Sequence, residues 1–326
     1  MRAEGGRRKA EGAAPLSAFP RLAAVLCGFL AVLTAAAQPV SVTDDRGRTV
    51  RLHRPAQRIV TLAPHLTELA FSAGAGSRIV GVARYSDFPS QARDLPNIGD
   101  SALMDFEQIV ALKPDLVLAW RTGNAPADVE RIERLGFPVF VSETARLSDI
   151  PRVTRAIGTL AGTLPEAARA AAQFENEIRT LRERYGHAAR VRVFYLVWRK
   201  PLMTVGGSHL ISDVIAQCGG ENVFGGLRQL VPVVTLEAVI AAKPEAVLGG
   251  SAPGSGSVFE SEWRATAPEP LRGVPAFYVN PDFIQRPTLR IAEGVSAVCS
   301  ALERVRKSMT AGKADKEPPG DRGRAR

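Results

Sequence analysis

Short apolar runs alternate with helix-patterned stretches along most of the chain, and this alternation is its strongest signal. Residues 41–50 read as a hairpin turning at Arg46-Gly47, and the run Arg-Ile-Val-Thr-Leu at 58–62 as a buried strand that Pro64 closes. A helix follows from Thr67 to the breakers Gly74 and Gly76, then a strand at 79–82. Next come a helix over 105–112, a strand over 115–119, a helix over 127–135 and a strand over 138–141. Apolar strands separated by helices predict a parallel sheet covered on both faces. Residues 150–185 show only helical spacing, broken around Gly162-Thr-Leu-Pro165, and predict one long connecting helix or two in series. The alternation then resumes with strands at 190–197, 246–248 and 276–279, helices at 210–217 and 236–242, and a last helix over 290–306.

A repeat organises this pattern. The segment Asp105-Phe-Glu-Gln-Ile-Val-Ala-Leu-Lys-Pro-Asp-Leu-Val-Leu-Ala119 lies without a gap over Thr235-Leu-Glu-Ala-Val-Ile-Ala-Ala-Lys-Pro-Glu-Ala-Val-Leu-Gly249. Each copy opens on a capping residue, Asp105 or Thr235, followed two positions later by Glu107 or Glu237, and passes from helix to strand at Lys-Pro. The chain is therefore expected to be two α/β lobes, 38–149 and 188–306, joined by helical residues 150–187.

The ends differ from the middle. Arg7, Arg8, Lys9 and Arg21 precede an uncharged run that closes on Ala35-Ala36-Ala37, the order of a secretory signal, with cleavage expected after Ala37 and 1–37 removed. Sixteen apolar residues fall short of the roughly 20 that a membrane span needs. Lipid anchoring through Cys27 is the alternative, although Leu26 before it is large, and the length of the basic region leaves a start downstream of residue 1 open. Residues 307–326 are charged and rich in Gly and Pro, an expected disordered tail. Of the net charge of +9, residues 1–37 hold five bases against two acids and 306–326 seven against three, which leaves +2 for the folded part. No basic stripe with interleaved aromatics remains there to bind nucleic acid. Once Cys27 leaves, Cys218 and Cys299 face an oxidising compartment, either as a bridge or as two buried thiols.

No G-x-S-x-G, Walker-type, G-x-G-x-x-G or H-E-x-x-H motif occurs, and the four histidines have no metal-ligand spacing. No enzyme, resident cofactor or metal is expected on these grounds. The loops after the strands carry the chemistry, because such loops face the crevice of an open sheet. They hold His65, Tyr85, Trp120 with Arg121, Trp198, Asp282 with Phe283, and Arg286. Aromatic faces beside a few polar groups suit a large, flat, partly polar ligand. Plain alternatives are that Trp120 and Trp198 are core residues and His65 a polar loop residue. An acid in a first helical turn is already favoured by the helix dipole, but two at matched places, Glu107 and Glu237, also suit paired arginines on a two-fold symmetric partner.

The stretches Thr67-Glu-Leu-Ala-Phe71, Tyr85-Ser-Asp-Phe-Pro89, Ile109-Val-Ala-Leu-Lys-Pro-Asp115, Ala119-Trp-Arg121 and Cys218-Gly-Gly-Glu-Asn-Val-Phe224 resemble the class III periplasmic binding proteins of ABC importers for metal chelates. The resemblance implies two Rossmann-like lobes with central parallel sheets joined by a single long α-helix, little closure on binding, a monomer in the periplasm, and a Cys218–Cys299 disulfide. It implies a cleft for cobalamin or a related corrinoid lined by Tyr85, Trp120, Asp282, Phe283 and Arg286, and docking of Glu107 and Glu237 on arginines of a permease dimer in the inner membrane. Ser101 and Val231 stand where the family carries tryptophans, and His65 where it has a small residue. A ferric siderophore or haem, with His65 or Tyr85 as iron ligand, is thus an alternative ligand, and an enzyme acting on a chelate in the same crevice an alternative of another class.

Overall fold

The computed structural model describes residues 39–250 and 256–314. The expected secretion signal 1–37, Cys27, and residues 315–326 of the expected tail lie outside the described residues.

The chain opens on the antiparallel hairpin β1 (Val40–Thr43) and β2 (Thr49–Leu52). Asp44 pins its turn by accepting from the backbone N–H groups of Arg46 and Arg48. The first lobe runs through β3 (Ile59–Thr61), α1 (Pro64–Ser72), β4 (Ile79–Val82), α2 (Phe106–Leu112), β5 (Leu116–Trp120), α3 (Pro126–Arg134) and β6 (Val139–Ser142). Pro64 does more than end the strand: it is the first residue of α1, where a missing N–H costs nothing. All pairings in this sheet are parallel, in the order β4-β3-β5-β6.

Next come α4 (Asp149–Ala161) and α5 (Leu164–Tyr185). The second lobe comprises β7 (Val191–Leu196), α6 (Leu210–Gln217), β8 (Gly220–Asn222), α7 (Leu236–Ala241), β9 (Ala246–Gly249), α8 (Gly256–Thr266), α9 (Glu269–Arg272), β10 (Ala276–Tyr278), α10 (Pro281–Ile284) and α11 (Ile291–Ala314). Its parallel sheet has the order β10-β9-β7-β8. Numbered within its own lobe, each sheet is 2-1-3-4, so the two lobes share one topology. The repeat is equally exact in detail. Asp105 and Thr235 both cap their helices, accepting from the backbone of Gln108 and Ala238, and Lys113 and Lys243 both adopt left-handed backbone at φ 46° and 45° before the following Pro.

Three expectations need correcting. The connector is not one continuous rod. Gly162, at φ +69°, ends α4 and turns the chain back, so α4 and α5 pack side by side. The absent Cβ of Gly158 lets α5 approach, since an added Cβ would stand 2.3 Å from that of Ala167, and Arg155 pairs with Glu175 across the hairpin. Only α5, 22 residues and so about 33 Å long, spans from α1 and α4 of the first lobe to α6 and α11 of the second. Secondly, α11 continues to Ala314, so residues 307–314 of the expected disordered tail are helical. Thirdly, β8, α8, α9 and α10 answer to no expected element.

Alternate residues of each strand bury on opposite faces. Ile59, Leu116, Leu118 and Phe140 turn to one side of the first sheet, Val60, Val117 and Val139 to the other. Val193, Tyr195 and Leu248 of the second lobe belong to the same apolar cluster as Ile59 and Leu118, and Ala167 and Phe174 of α5 belong to it too. The lobes therefore share a core. Cys218, after α6, and Cys299 of α11 are bonded, with S–S 2.05 Å. Among the described residues no helix is long and apolar enough to cross a membrane.

Candidate functional site

The cleft floor is built from the ends of β3, β4 and β5. The hydroxyl of Thr67 lies 2.7 Å from that of Thr61 and 3.0 Å from that of Ser86, a buried chain that ties α1, β3 and the loop after β4 together. Asn124 accepts from the Trp120 backbone N–H and donates to the Leu62 carbonyl, which fixes the loop after β5. The Trp120 indole is half-buried, and the His65 ring meets it edge-on at 5.1 Å. His65 itself is buried. Burial, and then the charge of Arg286, push its pKa down to about 3, so the ring is neutral. Its Nε2 has no hydrogen-bond partner among the described residues. That nitrogen is shut off from solvent, a poor position for the iron ligand that the sequence offers.

Above Trp120 a narrow hollow is walled by Glu143 and Thr144 from the first lobe and by His209, Leu230, Ile284, Gln285 and Pro287 from the second. It holds about 100 Å³ and forms the floor of an open groove rather than a chamber. Glu143 Oε2 and Thr144 Oγ1 are buried in this wall without partners among the described residues, so the wall would have to shift before a ligand's donors could reach them.

Beside the hollow the lobes meet through charge. Arg286, after α10, donates to Asp87 at 2.6 Å and to Glu68 at 3.2 Å, and lies 3.3 Å from Asp282. Arg290 donates twice to Glu68, at 2.8 and 2.9 Å, while its guanidinium covers the Phe88 ring at 3.8 Å and stands 5.3 Å from that of Phe283. Glu68, only 2% exposed, is thus a carboxylate of the first lobe held by two arginines of the second. Burial would raise the Asp87 pKa, but the Arg286 hydrogen bond and charge outweigh it, and the carboxyl sits below its usual range.

The candidates divide accordingly. His65, Trp120, Asp282, Phe283 and Arg286 gather at or beside the cleft floor. Tyr85 is 71% exposed and held at φ 68°, a strained backbone for a bulky residue, on the same loop as Asp87 and Phe88. Arg121 turns back to the hairpin and donates to the Asp45 carbonyl. Trp198, 54% exposed, donates to the Lys200 carbonyl and lines a separate depression with Phe259 and Glu262. Glu107 and Glu237 are both exposed in the first turns of α2 and α7. Glu68, Asp87, Arg290, Glu143 and Thr144 were absent from the candidates. Glu68 and Asp87 fall inside the stretches that carry the resemblance, and Asp87 also lies on the crevice-facing loop that holds Tyr85. Among the described residues no group of His, Cys, Asp and Glu is placed to hold a metal ion.

Two parallel-sheet lobes of one topology, a shared helical spine and a cleft between strand ends define a substrate-binding protein of the helical-backbone class. The chain belongs to the periplasmic binding protein family, whose model matches residues 59–275. It is 36% identical over 253 residues to a vitamin B12-binding protein of Vibrio campbellii, covering 78% of this chain and 92% of that one. A vitamin B12-binding protein of Pectobacterium carotovorum is 34% identical over 76% of this chain and 88% of its own length. The crystal structure of the periplasmic vitamin B12-binding protein of Vibrio cholerae superposes with a TM-score of 0.71 at 32% identity, over 78% of this chain and 99% of that one. A periplasmic haem-binding protein of Roseiflexus shares the fold, with a TM-score of 0.66 at 24% identity over 77% of this chain and 99% of its own.

Proposed function

We propose that this chain is the periplasmic substrate-binding component of an ABC importer, capturing cobalamin or a kindred corrinoid in the interlobe cleft and handing it unchanged to a permease dimer. The observation that carries this reading is the 36% identity, over 78% of the chain, to a vitamin B12-binding protein. The cleft agrees in its chemistry. A corrin is a flat ring system rimmed with amides; the exposed Tyr85 and half-buried Trp120 offer aromatic surface, and the polar residues Glu143 and Thr144 stand in the wall of the hollow. Arg286 and Asp282 complete the polar lining, and Phe283 its apolar side. Arg121 and Trp198, at the periphery, contribute least. Export by residues 1–37 with cleavage after Ala37 yields a mature monomer, and Glu107 and Glu237, one per lobe, pair with arginines of the permease.

Calorimetric titration of the mature chain with cyanocobalamin tests the ligand. A dissociation constant in the micromolar range or below, with the corrinoid spectrum unchanged after release, is the expected outcome. Dissociation weaker than about millimolar removes cobalamin from the reading, and a chemically altered corrinoid replaces transport with catalysis.

A further inference from the structure

The register of the repeat extends beyond the helices that define it. Leu103 and Val233 stand 130 positions apart, the same offset as Asp105 and Thr235, each two residues before its helix cap. They are 75% and 63% exposed, among the most exposed large apolar side chains of the described residues. A single exposed leucine needs no explanation. Its recurrence at the matched place in the other lobe, beside the matched carboxylate, does.

Neither residue sits on a loose segment. Leu103 donates its N–H to Asp100 Oδ1 and accepts from the Asp100 N–H, both at 3.0 Å, inside a tight turn. Val233 bridges Met203, and its neighbours Pro232 and Val234 bond to the backbone of Thr204 and Leu202. Each side chain is therefore presented on pinned backbone, and burying it against a partner carries little ordering cost. On the first lobe Leu103 and Glu107 line one depression together with Arg84 and Arg131. A carboxylate follows each apolar group by four residues, Glu107 after Leu103 and Glu237 after Val233, and favours a partner that offers a cation beside an apolar surface, twice over. A two-fold symmetric dimer presents such a pair of sites.

We propose that Leu103 and Val233 are the apolar contacts of the docking surface, one per lobe, each inserted into an apolar recess beside a basic residue on a dimeric membrane protein. This rests on the permease-docking reading of Glu107 and Glu237. The acids steer and orient, and the apolar pair supplies the dry centre that lengthens the complex's lifetime.

The test is saturable binding of the fluorescently labelled mature chain to spheroplasts of the source bacterium deleted for its own copy, alongside cyanocobalamin titration and sedimentation of the free chain. The double variant Leu103→Asp with Val233→Asp is expected to lose spheroplast affinity by about ten-fold or more while keeping its cyanocobalamin affinity and monomeric state. Each single variant is expected to lose a part. Glu107→Ala with Glu237→Ala serves as the control. If the acid variant loses binding and the apolar variant binds as wild type, the apolar contacts are refuted and the docking reading stands. If both bind as wild type, the docking reading falls and takes this inference with it. Loss of cyanocobalamin affinity in the apolar variant reassigns the pair to the ligand wall, and a wild-type dimer that the variant dissolves reassigns it to self-association; either result overturns the proposal.

Discussion

Arg286 and Glu68 are 218 residues apart in the chain and 3.2 Å apart in space, one on each side of the cleft floor. Arg290 binds the same carboxylate, so a single buried acid fastens the two lobes beside the proposed ligand groove. Replacing Glu68 with Gln keeps the shape and removes the charge that both guanidinium groups face. Asp87 and Asp282 still serve Arg286, and both arginines are partly solvated, so the expected loss is about 1–3 kcal/mol of unfolding free energy, read from the urea midpoint. Cyanocobalamin affinity should fall with it, because Arg286 loses its orientation. An unchanged midpoint would show that the cluster does not fasten the lobes.

Acid should act through His65. Its folded pKa, about 3, lies below the ordinary value of 6.5. Between these values the unfolded chain binds a proton that the folded chain refuses, so stability falls as pH drops from about 6.5 towards 3. His209, also depressed by burial, adds in the same direction. His65→Gln should flatten the acid limb of the unfolding free energy by a few kcal/mol at most, read as a smaller fall of the thermal midpoint. A variant whose midpoint follows wild type across this window contradicts a buried neutral ring.

The bridge between Cys218 and Cys299 closes a loop with a sequence separation of 81. Chain entropy alone makes that worth about 4.5 kcal/mol. The double Ser variant is expected to lose stability of that order in guanidinium titrations, yet to keep ligand binding while folded, since the bond lies between α6 and α11, outside the cleft. Equal stability with and without reductant in wild type would refute the bond.

Trp120 lines the hollow and meets the His65 ring at 5.1 Å. Trp120→Ala should weaken cyanocobalamin binding by about ten- to a hundred-fold, in line with removal of a buried aromatic contact. Trp198→Ala, whose ring lies over a different depression, should change it less than three-fold or so. Equal effects of the two would mean that the ligand rests elsewhere.

Much of this architecture was legible in the chain. The lobes, their parallel sheets and the repeat follow from local spacing, and Asp105 and Thr235 do in the structure what capping chemistry asks. What escaped was of two kinds. Gly220-Glu-Asn222 carries no apolar pattern and becomes β8 only because β7 has a free edge beside it. Glu68 reads as an ordinary helical acid, because its partners lie 218 and 222 residues away and ion pairs leave no periodic trace. The turn at Gly162 was visible as a break; that α4 folds back on α5 depended on Gly158 meeting Ala167, a contact across the turn rather than a pattern along it.

Because α5 is embedded in both lobes and shares their core, bending the molecule means opening a ladder of helix hydrogen bonds and parting Ala167 and Phe174 from their neighbours together. A clamshell keeps its cargo by shutting, and a spine anchored in both lobes resists that movement. On the proposed function, holding time would then be left to surface chemistry in the groove.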